Sequence, residues 1–297
     1  MREPNHRSWP LRPAPPRPNA GPGTLDGVSR SFILHDAVLL GAQALIVLAP
    51  GAGVPAWVAR LRSGSWALVL PISLAAVVAA IALLPQVADG LTWLALLTIP
   101  PLAAAALGWA GRGARPWIAV LAVPLLVLAW ADQSSLRGQT ATLALEALSC
   151  VTLGRLLAGV APVSWLKAGI VAMAVLDAVL VFSDGLTAPN AVLNAAVPAQ
   201  GLPQLQFVEF GPVTFGFGDL FVAGVLGAVL AVEGRRQAPV AALAFGLSVI
   251  FDLLFLVTDS LPATVPIAAA LVISEAARRQ QSGWARARAP GHRPPAM

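Results

Sequence analysis

A chain of 297 residues that is 57% hydrophobic and 11% charged, with a mean hydropathy of +0.76, is not a string of soluble domains; it reads as an all-α polytopic membrane protein. Its pI near 11.1 comes from 19 Lys and Arg, all Arg except Lys167, which in such a chain mark loops and tails rather than a nucleic-acid partner. One cysteine, Cys150, excludes an internal disulfide and a Cys-based zinc cluster, and three scattered histidines (His6, His35, His292) without a His-Glu-x-x-His leave no metal or other cofactor to expect.

The chain opens with a Pro- and Arg-rich stretch, residues 1–31, that cannot bury enough apolar surface to order itself and reads as a disordered tail. Nine apolar runs follow: Phe32–Ala49, Trp66–Leu84, Leu91–Ala110, Pro116–Ala131, Thr140–Val160, Val163–Phe182, Val213–Val232, Pro239–Val257 and Pro262–Ala277. At about 1.5 Å per residue each crosses most or all of a hydrocarbon core of about 30 Å, so nine transmembrane helices in a lipid bilayer are expected. The runs group as five spans over 32–160 and a four-helix unit over 161–277, before a basic, disordered C-terminal tail, 278–297.

Loop charge alternates along this series. Arg60, Arg62, Arg112, Arg115, Lys167, Arg235 and Arg236 fall in odd-numbered loops, and Asp89, Asp132, Asp184, Glu209 and Asp259 in even-numbered ones, with Arg137 the basic exception. The positive-inside rule puts the odd loops and the C-terminus in the cytoplasm and the N-terminus outside the cell membrane. The N-terminal arginines Arg2, Arg7, Arg12, Arg17 and Arg30 oppose that orientation; four loops and a tail outweigh them. Trp57, Trp66, Trp93, Trp109, Trp117, Trp130 and Trp165 lie near run ends, as an interfacial belt.

Two acids stand out against this background. From Pro162 to Asp177 the sixth run rises about 22 Å, and from Arg235 back to Asp219 the seventh rises about 24 Å. Antiparallel neighbours therefore carry carboxyls at matched depth, where a carboxylate is functional by default. Facing carboxyls do not readily both ionise; they tend to share a proton. One carboxylate can then draw a proton from water while its neutral partner donates a hydrogen bond to a scissile carbonyl. Asp219 closes the string Gly216-Phe217-Gly218-Asp219, whose glycines are expected to let a neighbouring backbone come close and to let the chain leave helical geometry.

An Asp in the sixth span, Gly-x-Gly-Asp in the seventh and Pro262-Ala263-Thr264 opening the ninth together resemble the presenilin and signal peptide peptidase family, covering about residues 165–275. The resemblance implies an intramembrane aspartyl protease with nine spans. Asp177 and Asp219 would be catalytic; Gly216, Phe217, Gly218, Pro262, Ala263 and Thr264 would shape the substrate site, and the partners would be transmembrane helices of other proteins. The chain departs from the family in having Leu176 where Tyr is usual before the first Asp, no Tyr anywhere, and Thr264 in place of Leu.

Just before the seventh span, Leu205–Phe210 is rich in aromatic and β-branched residues, is bounded by Pro203 and Gly211-Pro212, and is too short for a helix. It reads as a short extended segment, with Leu205, Phe207 and Glu209 on one side and Gln206, Val208 and Phe210 on the other. Its edge would hold an unwound substrate by backbone hydrogen bonds, making Phe207 and Val208 substrate-binding candidates; the resemblance implies a comparable segment. Asp252 reads as a helix-contact or cavity residue, Glu146 as facing the bundle interior and Arg155 as snorkelling toward the cytoplasm. Three other readings compete: a prepilin-peptidase-like Gly-x-Gly-Asp protease, in which a Lys usually stands where this chain has Phe221; a proton- or cation-coupled transporter using Asp177, Asp219 and Asp252; and an inactive member of the family.

Overall fold

A computed structural model describes residues 25–51, 53, 56–199, 201–256, 258 and 261–288. Every apolar run carries a helix. The first is α1, Leu25–Leu48; a short α2, Ala56–Ala59, follows. A 3₁₀ turn capped by the Ser63 hydroxyl leads into α3, Val69–Leu83. Next comes α4, Val87–Ala105, which contains Pro100 and Pro101 and ends in a π turn, Ala106–Ala110. Each proline removes a backbone donor, so irregularity in the following turns is expected. A 3₁₀ stretch started by Pro116 runs into α5, Ala122–Ala131. The long helices α6, Leu136–Val160, and α7, Val163–Phe182, begin at the Ser135 cap and at Pro162. After a short α8, Thr187–Ala195, come strands β1, Phe207–Phe210, and β2, Val213–Gly216. The chain then forms α9, Phe217–Val232; α10, Gln237–Asp252; and α11, Thr264–Arg288.

Among the described residues, four helices are long and apolar enough to cross a membrane: Gly64–Leu83, Val87–Ala110, Leu136–Val160 and Val163–Phe182. Four more are apolar but shorter: Ile33–Leu48, Pro116–Ala131, Phe217–Val232 and Gln237–Asp252. The fold is thus mostly helical, with four candidate membrane-spanning helices and, among the described residues, one small antiparallel sheet.

Helix α9 is the axis of the bundle. Leu220 and every residue from Val222 to Leu230 are buried, against α6 on one side and α1, α7 and α11 on others. The α6 crossing is tight because both helices present glycine. A Cβ on Gly154 would strike the Gly224 backbone, and one on Gly224 would strike the Cys150 carbonyl; Gly227 meets the Val47 backbone of α1 in the same way. With lipid outside, helices gain little from hydrophobicity alone, and such small-residue contacts supply close van der Waals packing. Leu83, Leu94, Leu97, Trp117 and Val123 project outward, as side chains facing lipid should.

Several sequence expectations change. The seventh run does not begin as a helix at Val213: its first four residues are strand, and the helix starts at Phe217. The first helix begins at Leu25, inside the stretch expected to be disordered; residues 1–24 lie outside the described residues. At the other end α11 continues to Arg288, past the tail boundary expected at 278, and residues 289–297 lie outside the described ones. One core cluster runs from Leu39 to Leu271, with residues from both sides of position 160. Arg155 does not snorkel. It is 1% exposed, with its Nη2 bonded to the Gly53 carbonyl.

The odd-numbered loops do gather at one end of the bundle. The Arg112 amide donates to the Ala49 carbonyl (2.6 Å), its guanidinium bonds Gln237, and Lys167 bridges Glu233 (2.6 Å) and Glu275 (3.0 Å). Arg235 also pairs with Glu233 and Glu275, so an ion cluster ties α7, α9 and α11 together there.

Candidate active site

The site is built where three helix ends meet at the opposite end of the bundle. Strands β1 and β2 pair with Phe207 opposite Gly216, Val208 opposite Phe215, Glu209 opposite Thr214 and Phe210 opposite Val213. The two-residue turn is Gly211-Pro212, with Gly211 at φ +61°, the sign a type II′ hairpin needs at its first central position. The His35 ring of α1 lies over Gly211 and 5.6 Å from the Phe210 ring, and the Gln139 side chain of α6 accepts from the Gly211 amide at 3.0 Å. The hairpin is therefore held by α1 and α6.

From this hairpin the chain turns directly into α9. Gly216 is extended (φ −73°, ψ 151°) and is the last non-helical residue, which makes Asp219 the third residue of the helix. Asp219 Oδ2 accepts from the Gly216 N–H at 3.0 Å, satisfying a donor at the helix start. A carboxylate in the first turn also lies at the positive end of the helix dipole. Gly216 leaves helical geometry as expected, but neither glycine is met by a neighbouring backbone. A Cβ on Gly216 would lie 3.4 Å from Asp219 Oδ2, and one on Gly218 would lie 3.4 Å from Met173 Cε; both are ordinary contacts, and no backbone crosses there. Close backbone approach belongs instead to Gly154, Gly224 and Gly227.

Asp177, on α7, is 6% exposed. Its Oδ2 accepts from the Thr264 hydroxyl at 2.6 Å. Thr264 is the first residue of α11, so Asp177 caps α11 from across the bundle. The departure at Thr264 thus supplies a donor that leucine lacks. The two carboxyls lie within electrostatic range of each other. Each sits at a helix N-terminus: Asp219 at its own, Asp177 at that of α11.

Sequence reasoning passed over Gln43. This α1 residue is 1% exposed, and its Nε2 donates to the Asp219 carbonyl (2.9 Å) and to the Ala263 carbonyl (3.4 Å), joining α9 to the Pro262–Thr264 segment. A polar residue two helical turns after Asp36 in an apolar run was the available signal. Phe217 stacks on Phe221 with ring centroids 6.4 Å apart. In β1, Phe207 and Val208 are buried, Glu209 is exposed and Phe210 is half-buried.

Asp252 does not join Asp177 and Asp219; its carboxyl meets that of Asp36, between α10 and α1. Glu146 is wholly buried in α6, as expected, and neither of its carboxyl oxygens has a hydrogen-bond partner among the described residues. No group of three or more His, Cys, Asp or Glu among the described residues is arranged to hold a metal ion. No protein-family model matches the chain, and neither a curated protein nor a solved structure matches it.

Proposed function

We propose that this chain is an intramembrane aspartyl protease, a nine-span relative of the presenilin and signal peptide peptidase family that cuts transmembrane segments or signal-peptide remnants. What supports the reading is that Asp177, bonded to the first residue of α11, and Asp219, in the first turn of α9 behind the hairpin, lie within electrostatic range of each other. In this mechanism a water lies between the two acids. The carboxylate of the pair takes a proton from it, the water oxygen attacks the scissile carbonyl, and the neutral acid hydrogen-bonds the developing oxyanion. Collapse of that intermediate breaks the C–N bond, and the proton passes to the leaving amine.

Strand pairing is how the substrate would be held. A helix hides its amides in internal bonds and must unwind before hydrolysis, and an open strand edge takes the unwound backbone with little demand on its sequence. The register makes Val208 and Phe215 a hydrogen-bonded pair, so Val208 faces inward to β2. Thr214 belongs to the alternate set that points away from β1, and it is exposed. The edge of β2 is therefore the one assigned to substrate.

The test is cleavage of a labelled single-span peptide by the purified chain in lipid. The wild-type chain is expected to cut it, and Asp177→Ala and Asp219→Ala are each expected to lower the rate by about 10³-fold or more. In the same assay Thr214→Pro should slow cutting several-fold without loss of folded protein. A wild-type chain that never cuts, or an Asp219→Ala chain that cuts as fast, would reject the protease. The orientation of this reading, N-terminus outside and C-terminus in the cytoplasm, follows from the cationic end. A reporter fused after Arg279 should be active only on the cytoplasmic side.

A second reading has its own observation. The Asp36–Asp252 carboxyl contact between α1 and α10 suits a proton- or cation-coupled transporter. Proton flux in liposomes that disappears in Asp252→Asn, alongside no peptide cleavage, would favour it.

A further inference from the structure

The cavity of interest lies at the cationic end of α9, away from the two acids. It measures about 770 Å³, and its lining includes Arg112, Arg155, Arg235, Trp109, Gly53 and Gly113; no Asp or Glu among the described residues lines it. Arg235 is already paired with Glu233 and Glu275. The other two arginines have no carboxylate partner among the described residues. Arg112 bonds the neutral Gln237 side chain, and Arg155 bonds the Gly53 carbonyl through Nη2. Arg155 Nη1 is buried with no hydrogen-bond partner among the described residues, and the residue as a whole is 1% exposed.

A buried guanidinium without a counter-charge is costly, and most of that cost disappears when an anion with several acceptor oxygens sits beside it. The fork of a guanidinium matches phosphate oxygens two at a time, which an ammonium cannot do. The surrounding Gly51, Gly53, Gly111, Gly113 and Gly234 keep the walls free of side chains, so the space is left to the ligand. Trp109 sets the cavity at the level expected of the membrane interface.

We propose that this cavity is a binding site for a phosphate-bearing anion, held by Arg155 and Arg112 and bordered by Arg235. The same chemistry is offered by an anionic lipid headgroup and by a soluble phosphate compound. Bound there, the anion bridges the loop after α1, the turn after α4 and the ends of α6 and α9. This assignment is independent of the protease reading.

The test uses the full chain in two kinds of nanodisc. In phosphatidylcholine discs, inorganic phosphate is titrated against sodium chloride of equal ionic strength; in the second arm, phosphatidylglycerol replaces part of the phosphatidylcholine with no phosphate in solution. Thermal unfolding is followed by tryptophan fluorescence. A ligand that binds only the folded chain raises Tm, and a rise of several degrees in at least one arm is expected, the responding arm naming the source. Arg155→Gln should remove the rise. Ala114→Glu keeps all three arginines and places a carboxylate on the cavity wall, so it should remove the rise even where Arg155→Gln does not fold. No rise in either arm, or a rise that persists in Ala114→Glu, overturns the proposal.

Discussion

The two ends of α9 solve opposite electrostatic problems in opposite ways. At its N-terminus, negative groups are placed where helix starts offer donors: Asp219 takes the Gly216 N–H, and Asp177 takes the hydroxyl of Thr264, the first residue of α11. At its C-terminus, positive groups gather around a cavity, and one of them, Arg155, keeps an unpartnered buried nitrogen. Helix starts supply ready donors for carboxylates within one chain. Their acceptor counterparts at helix ends are carbonyls, which satisfy only part of a guanidinium with its five N–H donors. Each carboxyl at the acid end thus has a donor from within the chain, whereas the arginine end keeps a buried nitrogen that has none among the described residues.

The largest test of that contrast strikes between the two ends. Gly224→Val would place a branched side chain against the Cys150 carbonyl, where even one Cβ does not fit. Overpacking of this kind costs about 1–3 kcal/mol in ordinary cores, and more is expected where the obstacle is backbone. Most of the chain should fail to reach the folded state, as read by size-exclusion recovery and Tm. Normal recovery would mean that α6 and α9 are less closely joined than their crossing indicates.

A smaller effect separates the ends. Thr264→Val removes the hydroxyl donor from Asp177 and nearly preserves volume. Stability should fall by about 1–2 kcal/mol, because a buried acceptor loses a partner. Peptide cleavage should drop roughly tenfold, with Thr264→Ser close to wild type and the Tm response to phosphate or phosphatidylglycerol unchanged. Equal losses in Val and Ser variants would make Thr264 a packing residue rather than a donor.

What was legible in the sequence was whatever depends on local hydrophobicity and on helix rise. The nine runs are visible because nearly every residue in them is apolar, and Asp177 and Asp219 could be set at one level because 1.5 Å per residue is a reliable ruler. The hairpin was only half visible. Leu205–Phe210 has turn residues on both sides, but Val213, Thr214 and Phe215 merge into the hydrophobic run behind them, and four residues are too few to show a period of two. The glycines mislead for a related reason: a motif draws attention to Gly216 and Gly218, while the crowding that only glycine tolerates lies deeper, at Gly224 and Gly227. Arg155 was misread because its partner, the Gly53 carbonyl, is distant in sequence. The role of Thr264 is not legible in its own segment because the carboxyl it serves lies on α7, 87 residues earlier.

The crossing of α6 and α9 also gives the chain a chemical clock. Cys150 is its sole cysteine, is fully buried, and has its carbonyl against Gly224 at that crossing. A thiol in this place reacts with a water-soluble maleimide only during moments when the two helices part. The rate of modification therefore counts those openings without any engineered label, and its change on adding a peptide reports whether the central helix moves aside to admit one.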